Sequence, residues 1–405
     1  MNCIDEYPKA IEEKILNRIS GIELVVSEKC QNNCKYCYRV KKHNASPITY
    51  ITPSKARLLL NNFLETFKID VGFYSSRCGE LFGGDAGVNY QYLKEIIHIM
   101  ISEFKFRNVV IPTNARLLQE LAQPDLIDLL EAGENRVSFS LSVDGSPQDA
   151  QRSLSKFGKM LSYDEKINYQ KLVAMAKKYH FGFHPMLTFE SISTWLDTVK
   201  SFFDMGIVPY LLEVRHPLMK DNAIDAVKTL GKIRQFLEPR IDKQTLRQSN
   251  TLSMSIVPRG LGCSALTTIS IMPNGDLPFC HRVVDPPWVK GNVLEKTINF
   301  SKMISETSIY NHRNHPLCMA CVIRDLCAGQ CAGASYEYWG DPWIPIESIC
   351  NFQRLKTYIF AEIFDDWKNI YDSHNQHSIE KDTLKNTVEN TYGADTINKL
   401  LSELQ

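Results

Sequence analysis

The sequence predicts an α/β protein: a parallel barrel left open on one side, followed by a cysteine-rich segment. Three observations predict it. Short apolar stretches alternate with amphipathic ones six times between residues 22 and 218, which is how strands feed crossover helices in a parallel sheet. Six such units fall short of the eight that close a barrel. Ten of the 12 cysteines gather in two spaced groups, at 30–37 and 263–350, a pattern of ligands rather than of scattered core thiols.

In order along the chain, residues 1–21 are a lead-in with one helix at 8–18. The barrel spans 22–218, with strands at 22–26, 77–82, 108–112, 136–143, 181–188 and 209–215. Helices with 3.6-residue apolar periodicity lie between them, at 54–67 behind Thr52 and Pro53, then at 90–104, 117–131, 163–179 and 193–205. Residues 219–262 read as a bridging helix at 223–237 and a polar linker. The segment 263–350 opens on a hairpin, a strand at 267–271 and the turn Pro273, Asn274, Gly275, Asp276, because Asn-Gly between β-rich runs is a strong turn signal. Residues 351–405 are C-terminal helices, the first with a core-facing stripe through Phe352, Leu355, Ile359, Ile363, Trp367 and Ile370, the last a polar and mobile tail.

Lys plus Arg and Asp plus Glu balance at 46 each, so no global field recruits nucleic acid or an anionic membrane. No export signal and no run near the ~18 apolar residues of a membrane span are present. A cytoplasmic location is expected. In that compartment cysteines bind metals more often than they pair as disulfides.

Cys30, Cys34 and Cys37 form a C-x3-C-x2-C run just after the first strand, where parallel barrels place their sites. By chance this triple appears in about 0.01 of chains this rich in cysteine. Three thiolates on one loop hold three irons of a 4Fe-4S cube and leave the fourth iron open; a zinc knuckle or three buried thiols are the alternatives, and zinc wants a fourth ligand. With Tyr36 before the last cysteine, the run resembles that of the radical S-adenosylmethionine (radical SAM) enzymes. The resemblance implies a partial (β/α)6 barrel, and S-adenosyl-L-methionine chelated to the open iron and cleaved to a 5'-deoxyadenosyl radical. It also implies cofactor contacts at Tyr36. Gly83, Gly84 and Asp85 match the family's Gly-Gly-Glu-Pro with Asp for Glu and no proline, and Asp85 would accept from the methionyl ammonium. Asn114 matches a Thr-Asn step, Ser142 and Asp144 would lie near the ribose, and Arg152 would face the methionyl carboxylate. Glu213 and Arg215 end the sixth strand and read equally well as an ion pair.

Cys263, Cys280, Cys318, Cys321, Cys327, Cys331 and Cys350 resemble the seven-cysteine signature of the SPASM domain. That likeness implies two auxiliary 4Fe-4S clusters, three clusters in all. Cys263, Cys280 and Cys331 would hold the first; Cys318, Cys321, Cys327 and Cys350 the second. Residues 253–262 lack the extra cysteine with which many members close the first. Structural zinc, in a binding module without radical chemistry, is the competing reading. Cys3 and Cys78 remain and read as inert thiols, with a place near the site as the alternative for Cys78, which lies on the strand leading to Gly83, Gly84 and Asp85.

SPASM enzymes mostly act on ribosomally made peptides, and auxiliary clusters take up the electron that an oxidative bond formation releases. The expected function is carbon–carbon or thioether cross-linking of a precursor peptide; formylglycine formation, as in sulfatase maturation, and oxidation of a small molecule are the alternatives. In the maturase subgroup an Asp after the second SPASM cysteine acts as base. Here His281 and Arg282 stand there, making His281 a weak candidate base, since a His beside a ligand is more often a supporting group. An electron donor such as flavodoxin or ferredoxin is implied. Only 21 residues precede the first strand, so leader recognition falls to the barrel, the SPASM domain or a separate leader-binding partner.

Overall fold

The computed structural model describes residues 9–39, 50–145, 152–160, 166–208, 213–215, 220–248, 252, 267–303, 315–324, 327, 330–364 and 380–405. Within them the strands are, in chain order, β1 Gly21–Ser27, β2 Cys78–Gly83, β3 Asn108–Thr113, β4 Val137–Leu141, β5 Gly182–Phe183, β6 Met186–Thr188, β7 Glu213–Arg215, β8 Thr268–Ile271, β9 Asp276–Pro278, β10 Val289–Asn292 and β11 Thr297–Ile298. The chain divides into two compact units. One comprises Met1–Leu141, Arg152–Phe181 and Ser264–Ile309; the other comprises Ser142–Gln151, Gly182–Cys263 and Tyr310–Gln405.

In the first unit β4, β3, β2, β1 and β8 lie side by side in that order, every pair parallel. β1 is an interior strand, between β2 and β8, and buried along its whole length, as a near-continuous apolar run in a parallel sheet must be. The helix Pro53–Phe67 starts as expected, with Thr52 Oγ1 accepting from the Lys55 N–H at 3.2 Å and Pro53 in its first turn, where a missing N–H costs nothing. Two expected helices are interrupted. The one at 117–131 is two, Arg116–Glu120 and Gln123–Ala132, because Pro124 starts a helix better than it continues one. The one at 90–104 relaxes after His98 into a wide turn, Phe104 N–H donating to Ile99 O.

The α/β class is as expected; three details are corrected. The fifth strand is interrupted by His184 and Pro185 into β5 and β6, since proline has no N–H for a ladder. The sixth is described only at β7, which pairs with β6 in a separate two-stranded sheet; 209–212 lie outside the described residues. The strand near 268 does not open a hairpin in the cysteine-rich segment. It joins β1 in parallel as β8, Glu23 opposite Ser270. The chain changes unit between Cys263 and Ser264, beside the expected boundary, but Ser264–Ile309 belongs with the main sheet and 310–350 does not, so the segment 263–350 is not one compact unit. The turn itself is present, Gly275 at φ 88° and its N–H donating to Met272 O. Its second arm, β9, pairs with β10.

The second unit is largely helical. Helices Lys220–Leu237, Glu347–Ile363, Lys381–Tyr392 and Ala394–Leu404 share a core that includes Leu230, Ile233, Leu355, Ile359, Leu384, Val388, Ile397 and Leu400. The tail expected to be polar and mobile is thus held by a buried apolar face, each Leu or Ile side chain contributing about 1.5–3 kcal/mol on burial. Trp367 and Ile370 lie outside the described residues. No described helix is long and apolar enough to cross a membrane.

Candidate active site

The loop after β1 carries Cys30 and Cys34, both buried, and Cys37, half-buried. Three segments fix it. Gly84 N–H donates to Ser27 O at 2.7 Å and Asp85 N–H to Lys29 O at 3.0 Å. A Cβ on Gly83, whose φ is 143°, would stand 1.9 Å from Ser27 O, and one on Gly84 2.1 Å from Lys29 O. The two glycines therefore let the end of β2 press against the stem of the cysteine loop. From the other side Asn33 N–H donates to Ser153 O, Ser155 N–H to Gln31 O, and Ser155 Oγ to Cys30 O at 2.8 Å. Residues 153–155 are a strap across the loop.

Asp85 is 2% exposed. Its carboxylate accepts from Gly87 N–H at 2.7 Å, Asn114 N–H at 2.6 Å and Thr113 Oγ1 at 3.1 Å. Burial pushes it up to about 6 and those donors hold it from rising further. Asp85 thus works on protein donors, joining the ends of β2 and β3. Asn114 reaches the loop, its Nδ2 donating to Gln31 Oε1 at 2.8 Å and to Cys30 Sγ at 3.5 Å. Arg152, 5% exposed, places its guanidinium 5.1 Å from the Tyr36 ring centroid, within cation–π range. Gly83, Gly84, Asp85, Asn114, Tyr36 and Arg152 are therefore gathered around Cys30, Cys34 and Cys37. Ser142 and Asp144 belong to the second unit, where Asp144 Oδ1 accepts from Met186 N–H at 2.9 Å.

The loop fits an iron–sulfur cluster. Burial pushes the Cys30 thiol up, and Asp85, Cys34 and Cys37 push it further. Asn32 N–H donates to Cys30 Sγ at 3.4 Å, the contact that tunes cluster sulfurs, and buried Asn32 Nδ2 has no protein partner. The sequence reading missed Gln31, Asn32 and Arg116, whose Nε donates to Asn32 Oδ1 at 3.2 Å. Polar residues at every gap of a cysteine motif were the available signal.

Below the loop a second group converges. His281 Nδ1 lies 2.6 Å from Glu23 Oε2, and its ring stacks 4.1 Å from Phe82. Glu23 is 3% exposed on β1, directly opposite Glu80 on β2. Burial, then Glu23, pushes Glu80 up to about 8, so Glu80 keeps its proton at neutral pH. A proton on Nδ1, donated to Glu23, leaves Nε2 as the ring nitrogen that can take up another. One acid in the apolar run Ile22, Glu23, Leu24, Val25, Val26 was a readable signal for this partner. Cys78, on β2, contacts its neighbour's carbonyl, Gly79 O, at 3.5 Å; Cys3 lies outside the described residues.

In the second unit Cys318, Cys321, Cys327 and Cys350 line one cavity of about 490 Å³. Burial, then Cys350 and Cys321, raises the Cys318 thiol. Among the described residues no three His, Cys, Asp or Glu side chains converge on a single metal ion; four thiols around one cavity suit a multi-iron cube, whose irons each take one thiolate. Cys280 belongs to the first unit and exposed Cys331 to the second, while Cys263 lies outside the described residues. Cys280 and Cys331, two of the expected ligands of the first auxiliary cluster, thus fall in different units.

No protein-family model matches the chain. It is 22% identical over 404 residues to the radical SAM cyclopropyl synthase TigE of Paramaledivibacter caminithermalis, an alignment covering 91% of this chain and 80% of that protein. Among solved structures, anSMEcpe with bound AdoMet superposes at TM-score 0.60 with 15% identity, covering 95% of this chain and 98% of the other. anSMEcpe with AdoMet and the Cp18Cys peptide gives 0.59 at 14% identity, covering 87% and 99%. The fold is shared across nearly the whole of both chains.

Proposed function

We propose that this chain, a radical SAM enzyme of the SPASM type, acts on a ribosomally made precursor peptide and joins side chains of that peptide oxidatively. The observation that carries the reading is the cysteine loop itself: three thiols, Asn114 on Cys30, and Arg152 over Tyr36, all at the ends of parallel strands. Cys30, Cys34 and Cys37 would hold a 4Fe-4S cluster, and Asn114, Tyr36 and Arg152 would bind S-adenosyl-L-methionine beside it. Such a cluster with its bound cofactor supplies a 5'-deoxyadenosyl radical that abstracts hydrogen from a C–H bond. The peptide as substrate class is supported by the similarity to anSMEcpe, seen with the Cp18Cys peptide.

Joining two side chains removes two hydrogens. One leaves as an atom; the other leaves as a proton, and its electron passes on. Within this reading His281 is the candidate proton acceptor, through Nε2, with Glu23 holding the ring's orientation and tautomer. Auxiliary clusters, one of which Cys318, Cys321, Cys327 and Cys350 would hold, would supply the acceptor for that electron, and a carrier such as flavodoxin or ferredoxin would be the external redox partner. A cytoplasmic, reducing setting belongs to the same reading.

A second reading is cyclopropane formation, favoured by the cyclopropyl synthase relative. It removes the same two hydrogens within one side chain. The test is anaerobic incubation of the reconstituted protein with S-adenosylmethionine, a reductant and a candidate precursor peptide. The product should be lighter than the substrate by two hydrogen atoms, with one 5'-deoxyadenosine per product. Fragmentation then separates a link between two residues from a ring within one. Cofactor cleavage that leaves the peptide mass unchanged overturns the peptide reading.

A further inference from the structure

The cavity lined by Cys318, Cys321, Cys327 and Cys350 is furnished with donors and positive charge that the proposed chemistry has not yet used. Gln330 is clamped in place: its Nε2 donates to Ile346 O at 2.8 Å and its Oε1 accepts from Ile346 N–H at 2.7 Å. The same Nε2 reaches Cys350 Sγ at 3.0 Å. Arg354 stands four residues beyond Cys350 on helix Glu347–Ile363, so both project from one face. It lines the same cavity, and its Nη1 donates to Asn351 Oδ1 at 2.9 Å. Burial works against the Arg354 charge, but Cys321, which accepts a hydrogen bond from it, together with Cys350 and Cys327, raises it above its ordinary value. Lys356, 6% exposed, follows on the helix; burial lowers it to about 8 while Cys327 works to raise it. Arg324 also lines the cavity, and Glu347 is its one acidic residue.

A cluster gains a negative charge on reduction. Cations and N–H donors at its sulfurs stabilise that reduced form and raise its potential. We propose that Arg354 and Gln330 are positioning residues that raise the reduction potential of a cluster held by Cys318, Cys321, Cys327 and Cys350, making this site the electron sink of the oxidation. The inference rests on the functional reading above, since it needs iron at this quartet.

The test is a potentiometric titration of the reconstituted full-length protein, read by electron paramagnetic resonance. The signal lost in Cys318→Ser marks the cluster, and iron content is measured alongside. Arg354→Met should lower its midpoint by about 59 mV, a tenfold change in a one-electron equilibrium. Gln330→Met should lower it by less, and Arg354→Lys should restore part of the difference. A midpoint unmoved in Arg354→Met and Gln330→Met, with iron retained, overturns the inference alone. If Arg354→Met does not retain iron, Gln330→Met and Arg354→Lys decide by the same criterion. A wild-type quartet that takes up zinc and no iron overturns the functional reading, and this inference with it.

Discussion

The two cysteine sites are built from the same ligand in opposite electrostatic settings. Around Cys30, Cys34 and Cys37 the neighbours are amides and an acid: Asn32 and Asn114 donate to sulfur, and Asp85 pushes the Cys30 thiol up after burial has done so. Around Cys318, Cys321, Cys327 and Cys350 the neighbours are Gln330, Arg354 and Lys356. Amide donors stand at both sites and act alike; a buried carboxylate beside a cluster makes it harder to reduce, and cations beside it make it easier. On the proposed reading that difference sets a direction: the first site would spend an electron to start the chemistry and the second would collect one when it ends.

The comparison can be broken most sharply at the first site. Cys34→Ala should abolish 5'-deoxyadenosine release, measured by mass spectrometry, and remove about four irons per chain while leaving those of the quartet. Next in size, Glu23→Gln takes the carboxyl partner from His281. Peptide conversion should fall about 10²-fold, while 5'-deoxyadenosine released without peptide stays as in wild type; equal loss of both would make Glu23 structural.

A smaller effect is a pH dependence. The Glu80 carboxyl is raised from 4.5 to about 8, so between those values the folded state holds a proton that the unfolded chain has released. Its stabilising contribution is complete below pH 4.5 and is lost as pH rises through 8. Thermal unfolding of wild type should therefore lose ground to Glu80→Gln as pH increases across that window. Parallel curves would show that Glu80 is ionised in the fold. Smallest is Arg152→Met, which removes the cation over Tyr36; cofactor affinity measured by calorimetry should weaken by about 0.5–1 kcal/mol.

Cysteine spacing made both sites legible, because ligand geometry is written in local sequence: Cys30, Cys34 and Cys37 share a loop, and Cys350 and Arg354 share a helix face. Gly83 and Gly84 were legible as a close approach, yet what they approach is the backbone of Ser27 and Lys29; a missing Cβ says that something comes near, not what. The pairing of β8 with β1 was not legible, for parallel partners 247 positions apart, such as Gly21 and Thr268, leave no periodic trace. The Glu23–His281 contact spans 258 positions and was hidden for the same reason. The burial of the C-terminal helices came from sparse residues, Leu384, Val388, Ile397 and Leu400, on an otherwise polar surface.

The central claim is that this chain carries out radical chemistry on iron–sulfur clusters. Its most direct test is anaerobic reconstitution of the wild-type chain with iron and sulfide, followed by metal analysis and addition of dithionite and S-adenosylmethionine. About 12 irons per chain with 5'-deoxyadenosine in the product is the expected result. Zinc in place of iron, with the cofactor intact, would contradict it.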